Sequence, residues 1–572
     1  MIRHIALLTL ALVPLAGCDG ETPPPTDAGP GQLDAGTQDA GPPPFAPDSF
    51  CPGAPGCAAG EGGTFEVGAA RASITPTIDE RTDVMTLDVN GNGTFDTGDE
   101  FADRDGEPGF QGVWIAGFGN ARPASDAHDD VHATAVALRN ADTTIVLVAL
   151  DVIGWFRPDM ERIRELVADL AIDHVAISST HVHQNRDTIG IWGISADRSG
   201  RSEAYNEHVR QQAARAIRDA VAALRPAHVQ YADVDLRTIE GGPARLVGDL
   251  RDPIILDPFI RLMRFVDASD DSTIATVVNF AAHPEYLGSR NTRISGDVGH
   301  FLRAGIEAGV PAPDGAATEG VGGITLWMNG AVGGQIGPNQ LDVRRWDGTP
   351  VVQRDDVWEF TRTVGEQLAY HCLRALGPDG GSVTDETAAL GYRTRSFFVP
   401  VQNTRFHLAI VLGLFDREGH NWDPRRALIP DENQPDLLTE VTVIDVGRAT
   451  MITAPGELEP ELFHGGYDGA YTPPTAMIVD PANPNPPALD RAPAPPYLRD
   501  LARSDATQVW LLGMTNDYLG YLMGEYNYVL SSSAPYFDEA DGDHYEETNS
   551  VGVDGWPTIR RELEALLTWS AE

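Results

Sequence analysis

Apolar positions along the chain follow two rhythms. Thr143–Leu150 reads TTIVLVAL, an unbroken apolar run without the polar alternation of a half-exposed strand, and it predicts a strand buried on both faces. In the following segment, 158–170, Met160, Ile163, Leu166, Val167 and Leu170 recur at three- and four-residue steps, which predicts an amphipathic helix. The pair repeats as a strand at 174–179 (HVAISS) and a helix over 203–224. Further strands are predicted at 273–280, 324–328, 441–446 and 509–512. Strands and helices alternating in this way predict an α/β protein: a large mixed α/β domain with stacked β-sheets flanked by helices.

Both ends of the composition narrow the chemistry. Asp and Glu number 84 against 41 Lys and Arg, a net charge of −43, and a surface so acidic repels phosphate backbones. No nucleic-acid partner is expected. Four cysteines in 572 residues exclude a disulfide-built scaffold and a multi-cysteine zinc ribbon, so any metal would be held by His, Asp, Glu or Tyr. Residues 1–17 combine a short basic start with an apolar run, as in a secretion signal, and Leu15-Ala16-Gly17-Cys18 resembles a bacterial lipobox. That resemblance implies an exported lipoprotein, anchored to a membrane through acylated Cys18, in the periplasm or at the cell surface. Residues 18–64 are expected to form a Pro/Gly-rich linker in which Cys51 and Cys57 close a small disulfide loop. Cys372 sits in a helical apolar pattern and is expected to be inert core. Residues 65–572 then form the domain, with a proline-rich surface insertion at 473–496.

Several metal-ligating side chains fall just past the C-terminal end of a predicted strand. His181 and His183 follow VAISS, and His283 follows VVNF. Glu457 follows TMIT and the turn APG, while Tyr518 and Tyr521 follow VWLL. Binding groups gather at strand ends because the scaffold is rigid there and the loops are free to vary. Imidazoles with a carboxylate suit zinc, which in catalytic sites keeps a position open for water. His181 and His183, two apart, would face the same way in extended chain, so both could ligate or one could support the other. His300, His371, His407, His420 and His464 lack this setting and are expected to be structural, and Asp151 and Asp297 to be supporting carboxylates at most.

The motifs STHVHQN (179–185), NFAAHPEYLG (279–288), TAPGELEPEL (453–462), NDYLGY (516–521) and HYEETNS (544–550) resemble, in the same order, those of neutral, non-lysosomal ceramidases. WIAGFGN (114–120) and HDDVHATAVAL (128–138) resemble that family's early segment. The resemblance implies a zinc amidohydrolase in which His181, His283, Glu457 and Tyr521 ligate Zn2+, with Tyr518 a rival for the phenolic position. It further implies that His183, Arg245 and Tyr545 contact substrate or transition state. Three features depart from the family. Gly333, in NGAVGG (329–334), stands where the family has a catalytic serine, which favours attack by metal-activated water. The chain ends soon after HYEETNS, so no C-terminal immunoglobulin-like domain is expected. Sixty-four positions separate Glu457 from Tyr521, and the proline-rich insertion lies between them.

A second cation site is predicted independently. Asp88, Asn90, Asn92, Thr94, Asp96 and Asp99 follow calcium-loop spacing, with Gly93 at the sharp turn and Asp99 in place of the usual twelfth-position Glu. It would hold Ca2+ and stiffen an insertion spanning 88–99. The acidic run 538–547 is expected to be a solvated loop. The functional expectation is a zinc-dependent hydrolase of amide or ester bonds in small, lipid-like N-acyl substrates. The alternative is a noncatalytic, cation-stabilised ligand-binding protein on the same fold.

Overall fold

The computed structural model describes residues 45–572 apart from 56, 430, 431, 543 and 572. The signal segment, Cys18 and most of the linker lie outside these residues. Two sheets stack face to face. The larger, nine-stranded sheet runs in the order Ile324–Asn329, Thr273–Phe280, Phe259–Asp267, Arg225–Asp235, Glu66–Ser73, His132–Asn140, Thr143–Leu150, His174–Ser179, with Val383–Asp385 added beside Arg225–Asp235. The five-stranded sheet runs Ser49–Cys51, Leu390–Pro400, Asp436–Val446, Ala449–Thr453, Gln508–Leu512.

Alternate side chains explain the stacking. Val136, Leu147, Met263, Val277 and Met328 of the large sheet share one core with Tyr392, Ile444, Met451, Trp510 and Leu512 of the small one. The opposite face of the large sheet is covered in two places. Helices Arg157–Leu166 and Glu203–Ala222 lie over one half. Asp297–Ala308 and Val357–Leu376 lie over the other. Strands sheathed on both sides need apolar residues on both faces, which is why Thr143–Leu150 and Thr273–Phe280 are buried at every position. Among the described residues no helix is long and apolar enough to cross a membrane.

The predicted strands appear within a few residues of their expected bounds, and the first predicted helix stops at Leu166. Arg218 Nη2 donates to the Leu166 carbonyl at 2.6 Å, satisfying a terminal acceptor and ending the helix there. The linker expected through residue 64 is instead part of the body from Ala46 onward. Ser49–Cys51 pairs antiparallel with Thr394–Tyr392, and Cys51 is disulfide-bonded to Cys57. Gly60 packs so closely on the Leu390 carbonyl that no side chain would fit. Cys372 is buried, and burial pushes its thiol pKa up. The 88–99 loop joins two short antiparallel strands, Val84–Leu87 and Glu100–Ala102. The 473–496 insertion runs along the surface and closes, with Asp249, Asp252 and Gly337, a cavity of about 590 Å³. The acidic run is solvated only at its start: Asp538 and Asp541 are exposed, whereas Glu546 and Glu547 are buried, Glu547 bonded to Val529 N–H and His544 Nδ1.

Candidate metal centre

The two sheets meet beyond the C-terminal ends of His174–Ser179, Thr273–Phe280, Ile324–Asn329, Ala449–Thr453 and Gln508–Leu512. Segment 513–516 stitches them: Gly513 N–H donates to Asn329 O, Ser179 N–H to Met514 O, and Asn516 N–H to Ile177 O. The large sheet curls enough for its edge strands to approach. Asn329 Nδ2 donates to Thr180 O at 3.0 Å and to Ala282 O at 2.9 Å, the two carbonyls just before His181 and His283. One amide therefore holds both histidine-bearing segments.

His181 takes a left-handed backbone conformation (φ +69°), a strained position for a non-glycine residue. Its Nδ1–H donates to Ile153 O at 2.7 Å, which leaves the Nε2 lone pair facing Glu457 Oε2 at 3.3 Å. His283 Nε2 approaches the same oxygen at 3.2 Å, while its Nδ1 is buried without a partner. Beyond it, the Asp297 carboxylate accepts Tyr286 N–H and Leu287 N–H, fixing the chain that follows His283. Asp151 accepts from Arg303 and from His132 N–H, beneath Thr180.

Glu457 and Tyr521 come from the small-sheet side and are direct partners in a short parallel pairing, despite their distance in sequence. Tyr518 O–H donates to Glu457 Oε1 at 2.7 Å, turning Oε2 toward the imidazoles. The Tyr521 hydroxyl lies 3.3 Å from His283 Nε2 and 3.1 Å from the Tyr545 hydroxyl. Of the two phenols, Tyr521 thus shares the nitrogen-lined side and Tyr518 braces the carboxylate from behind. His183 completes the group: the ligand atoms of His181, His183 and His283 lie within 4.8 Å of one another, and both His183 ring nitrogens are buried without a partner. Glu285 Oε2 lies 3.9 Å from His183 Nδ1.

This donor set fits a cation. The Nε2 lone pair of His181 and the Nε2 atom of His283 converge on one carboxylate oxygen, beside the Tyr521 hydroxyl and two unpartnered His183 nitrogens, and few protons are available to separate so many polar atoms. Burial and the neighbouring Glu457 push Tyr521 well above the ordinary phenol value, so a phenolate there would need a positive ion beside it. Two or three imidazoles, one carboxylate and one phenol, without a thiol, match the borderline ligand preferences of zinc.

Not every expected residue is present at the centre. The guanidinium of Arg245 donates to Glu240 O and Arg344 O, and no bond joins it to the histidines. The arginine bonded at the centre is Arg122, whose Nη1 donates to His183 O at 3.4 Å, whereas Arg251 pairs with Glu461 at 2.9 Å and Glu459 at 3.5 Å. Glu459, Glu461, Glu546, Glu547 and Asp249 form a buried acidic layer beneath Tyr521 and Tyr545, and burial together with Glu461 pushes Glu459 up to about 8. A Cβ on Gly333 would lie 2.5 Å from Glu457 O and 2.6 Å from Glu459 N. The space a side chain at position 333 would need is therefore filled by the Glu457–Glu459 backbone. His407 and His464 are buried on carbonyl partners away from the centre, as expected of structural histidines. Asn329, Glu285 and Arg251 escaped the sequence reading. Asn329 had one available signal, its place at the end of an apolar strand.

No family model matches the chain, and no curated protein matches it significantly. Solved structures do. Neutral ceramidase from Pseudomonas aeruginosa superposes with a TM-score of 0.56 at 14% identity, covering 89% of this chain and 74% of that one. A ceramidase complexed with C2 gives 0.53 at 15% identity, covering 89% and 77%. The fold is that of the neutral ceramidases.

Proposed function

We propose that the protein is a zinc-dependent hydrolase of amide or ester bonds in lipid-like N-acyl substrates. One observation carries the reading: His181, His283, Glu457 and Tyr521 converge with acceptor atoms facing each other in a buried, ceramidase-like setting. A zinc ion held by these four groups would supply Lewis acidity, polarising a carbonyl and ionising a water near neutral pH.

The chain's own groups divide the remaining work. Ile153 O fixes the His181 tautomer, and Tyr518 fixes the rotation of Glu457. The Tyr545 hydroxyl, held against Tyr521, is placed to donate to a substrate oxygen as charge develops on it. His183, with Glu285 behind Nδ1, is placed to carry a proton between Nε2 and the departing amine or alcohol. Arg245 has no part in this scheme, and no hydroxyl at position 333 is needed.

The noncatalytic alternative draws on Gly333 alone. One experiment separates the two: metal analysis with hydrolysis of a panel of N-acyl amides and esters. About one zinc per chain and turnover, both lost in His181→Ala and His283→Ala, are expected. Stoichiometric zinc without turnover of any panel member would move the protein to the binding class. Zinc retained in both variants would sink the ligand assignment.

A further inference from the structure

Helix Thr404–Val411 exposes an apolar stripe. It buries Phe406, His407 and Ala409 and turns Leu408 (43% exposed), Val411 (55%) and, at its end, Leu412 (66%) outward. Steps of four, three and one residue keep these on a single stripe. Phe398, 43% exposed, extends it: its ring lies 5.3 Å from His420, and neighbouring Gly419 packs near Ile410 of the helix. Half-buried Trp422 and exposed Arg426 follow on the same stretch, with Arg425 paired to Asp423 at 2.9 Å and Asp416 and Glu418 exposed before them. Leucine and valine beside Trp and Arg suit the boundary between water and acyl chains.

We propose that this stripe docks on a lipid bilayer surface. The place where the chain enters the body favours that occupant. Asp48 N–H donates to Thr394 O at 2.9 Å, and Asp48 Oδ2 accepts Ser396 N–H at 2.6 Å. From Ser396 the strand Leu390–Pro400 runs ~13 Å to its end, and the chain then passes straight into the helix. If Cys18 carries the acyl anchor its sequence context implies, only 28 positions join it to Ala46 (46 − 18), a greatest reach of roughly 95 Å, so the body stays at the membrane. Tether and stripe then leave the same edge of the small sheet.

The stripe is also mechanically close to the metal centre. Asn403, which caps the helix, donates from Nδ2 to Thr548 O and Ser550 O, just past Tyr545. At the other end Phe415 packs on Phe406 and Phe156. Arg417 then pairs with Asp517 and donates to Tyr518 O. Docking would set the rim of the proposed hydrolase against the bilayer that holds acyl substrates. That consequence rests on the functional proposal; the docking itself does not.

The test uses the full chain with Cys18→Ser, so that no acyl anchor contributes, and phosphatidylcholine vesicles in a sedimentation assay. Binding is expected, and Leu408→Ser/Val411→Ser/Leu412→Ser should weaken it by ~10²-fold with an unchanged thermal midpoint. Leu412→Trp provides a second readout, a blue shift of tryptophan emission when vesicles are added. Equal binding by parent and triple variant, no binding by the parent, or no emission shift would overturn the proposal. So would a parent dimer that the triple substitution converts to monomer, because the stripe would then face a second copy. Vesicle binding is read without substrate, so its failure is distinguishable from failure of the hydrolase reading.

Discussion

The 88–99 loop and the surroundings of Glu457 both carry metal-binding residue types, and they are constructed in opposite ways. In the 88–99 loop the carboxylates are exposed or half-exposed and already satisfied. Asp88 accepts from Gly91 N–H and Gly93 N–H, Asp99 from Val89 N–H and Asp96 N–H, and Asp96 from the side chains of Asn90 and Asn92. Such a loop keeps its shape with its own amides, and a cation would compete with bonds already made. Around Glu457 the acceptors are buried and face one another, and few N–H groups come to meet them. Spacing in sequence marks the first region and convergence in space marks the second. Only the second leaves atoms that need an ion to be satisfied.

Removing a ligand should break the contrast most sharply. Glu457→Ala leaves His181 and His283 without their shared carboxylate, and both zinc content and hydrolysis should fall by more than ~10²-fold, read by elemental analysis and turnover. Next, Gly333→Ser should not improve catalysis: its side chain must displace the Glu457–Glu459 backbone, costing ~1–3 kcal/mol in denaturant melts together with zinc affinity. Asn329→Ala frees the carbonyls before His181 and His283, and zinc affinity measured by chelator competition should drop ~10–100-fold. Calcium should matter least. Millimolar calcium should raise the thermal midpoint by no more than ~1.5 kcal/mol equivalent, an increment that Asp88→Asn abolishes while zinc content stays constant. A large calcium effect would erase the distinction between the two regions.

The acidic layer gives a pH signature. Burial and neighbouring Glu547 raise Glu546 well above the usual carboxylate range, so folding favours its neutral form. Its contribution is present below the unfolded-state pKa and is lost as pH climbs toward the raised one. Thermal midpoints should therefore decline from mildly acid to alkaline pH, and Glu546→Gln should flatten that decline.

Much of the scaffold was legible because buried strands announce themselves as apolar runs: Thr143–Leu150 and Thr273–Phe280 appear at their expected bounds. His181, His283, Glu457 and Tyr521 were visible as polar residues just past such runs. What stayed hidden depends on contacts between distant segments. Arg251 and Arg245 sit in the same stretch of sequence, and only the third dimension shows that Arg251 meets Glu461 while Arg245 caps loop carbonyls. Glu546 and Glu547 read as solvated because charge runs usually are, yet the fold encloses them. The edge strand Ser49–Cys51 is too short for any periodicity and is defined only by its pairing with Thr394–Tyr392.

His181 and His283 follow strands of the large sheet, whereas Glu457 and Tyr521 pair in a short ribbon that follows Ala449–Thr453 and Gln508–Leu512 of the small one. The registration of these four groups is thus set by how Met451, Trp510 and Leu512 nest against Val277 and Met328, well inside the sandwich. A shift of one layer over the other, too slight to alter either sheet, would change every cross-layer distance at the rim. Conservative exchanges in that nest are a route by which turnover could be tuned without touching any group that meets substrate.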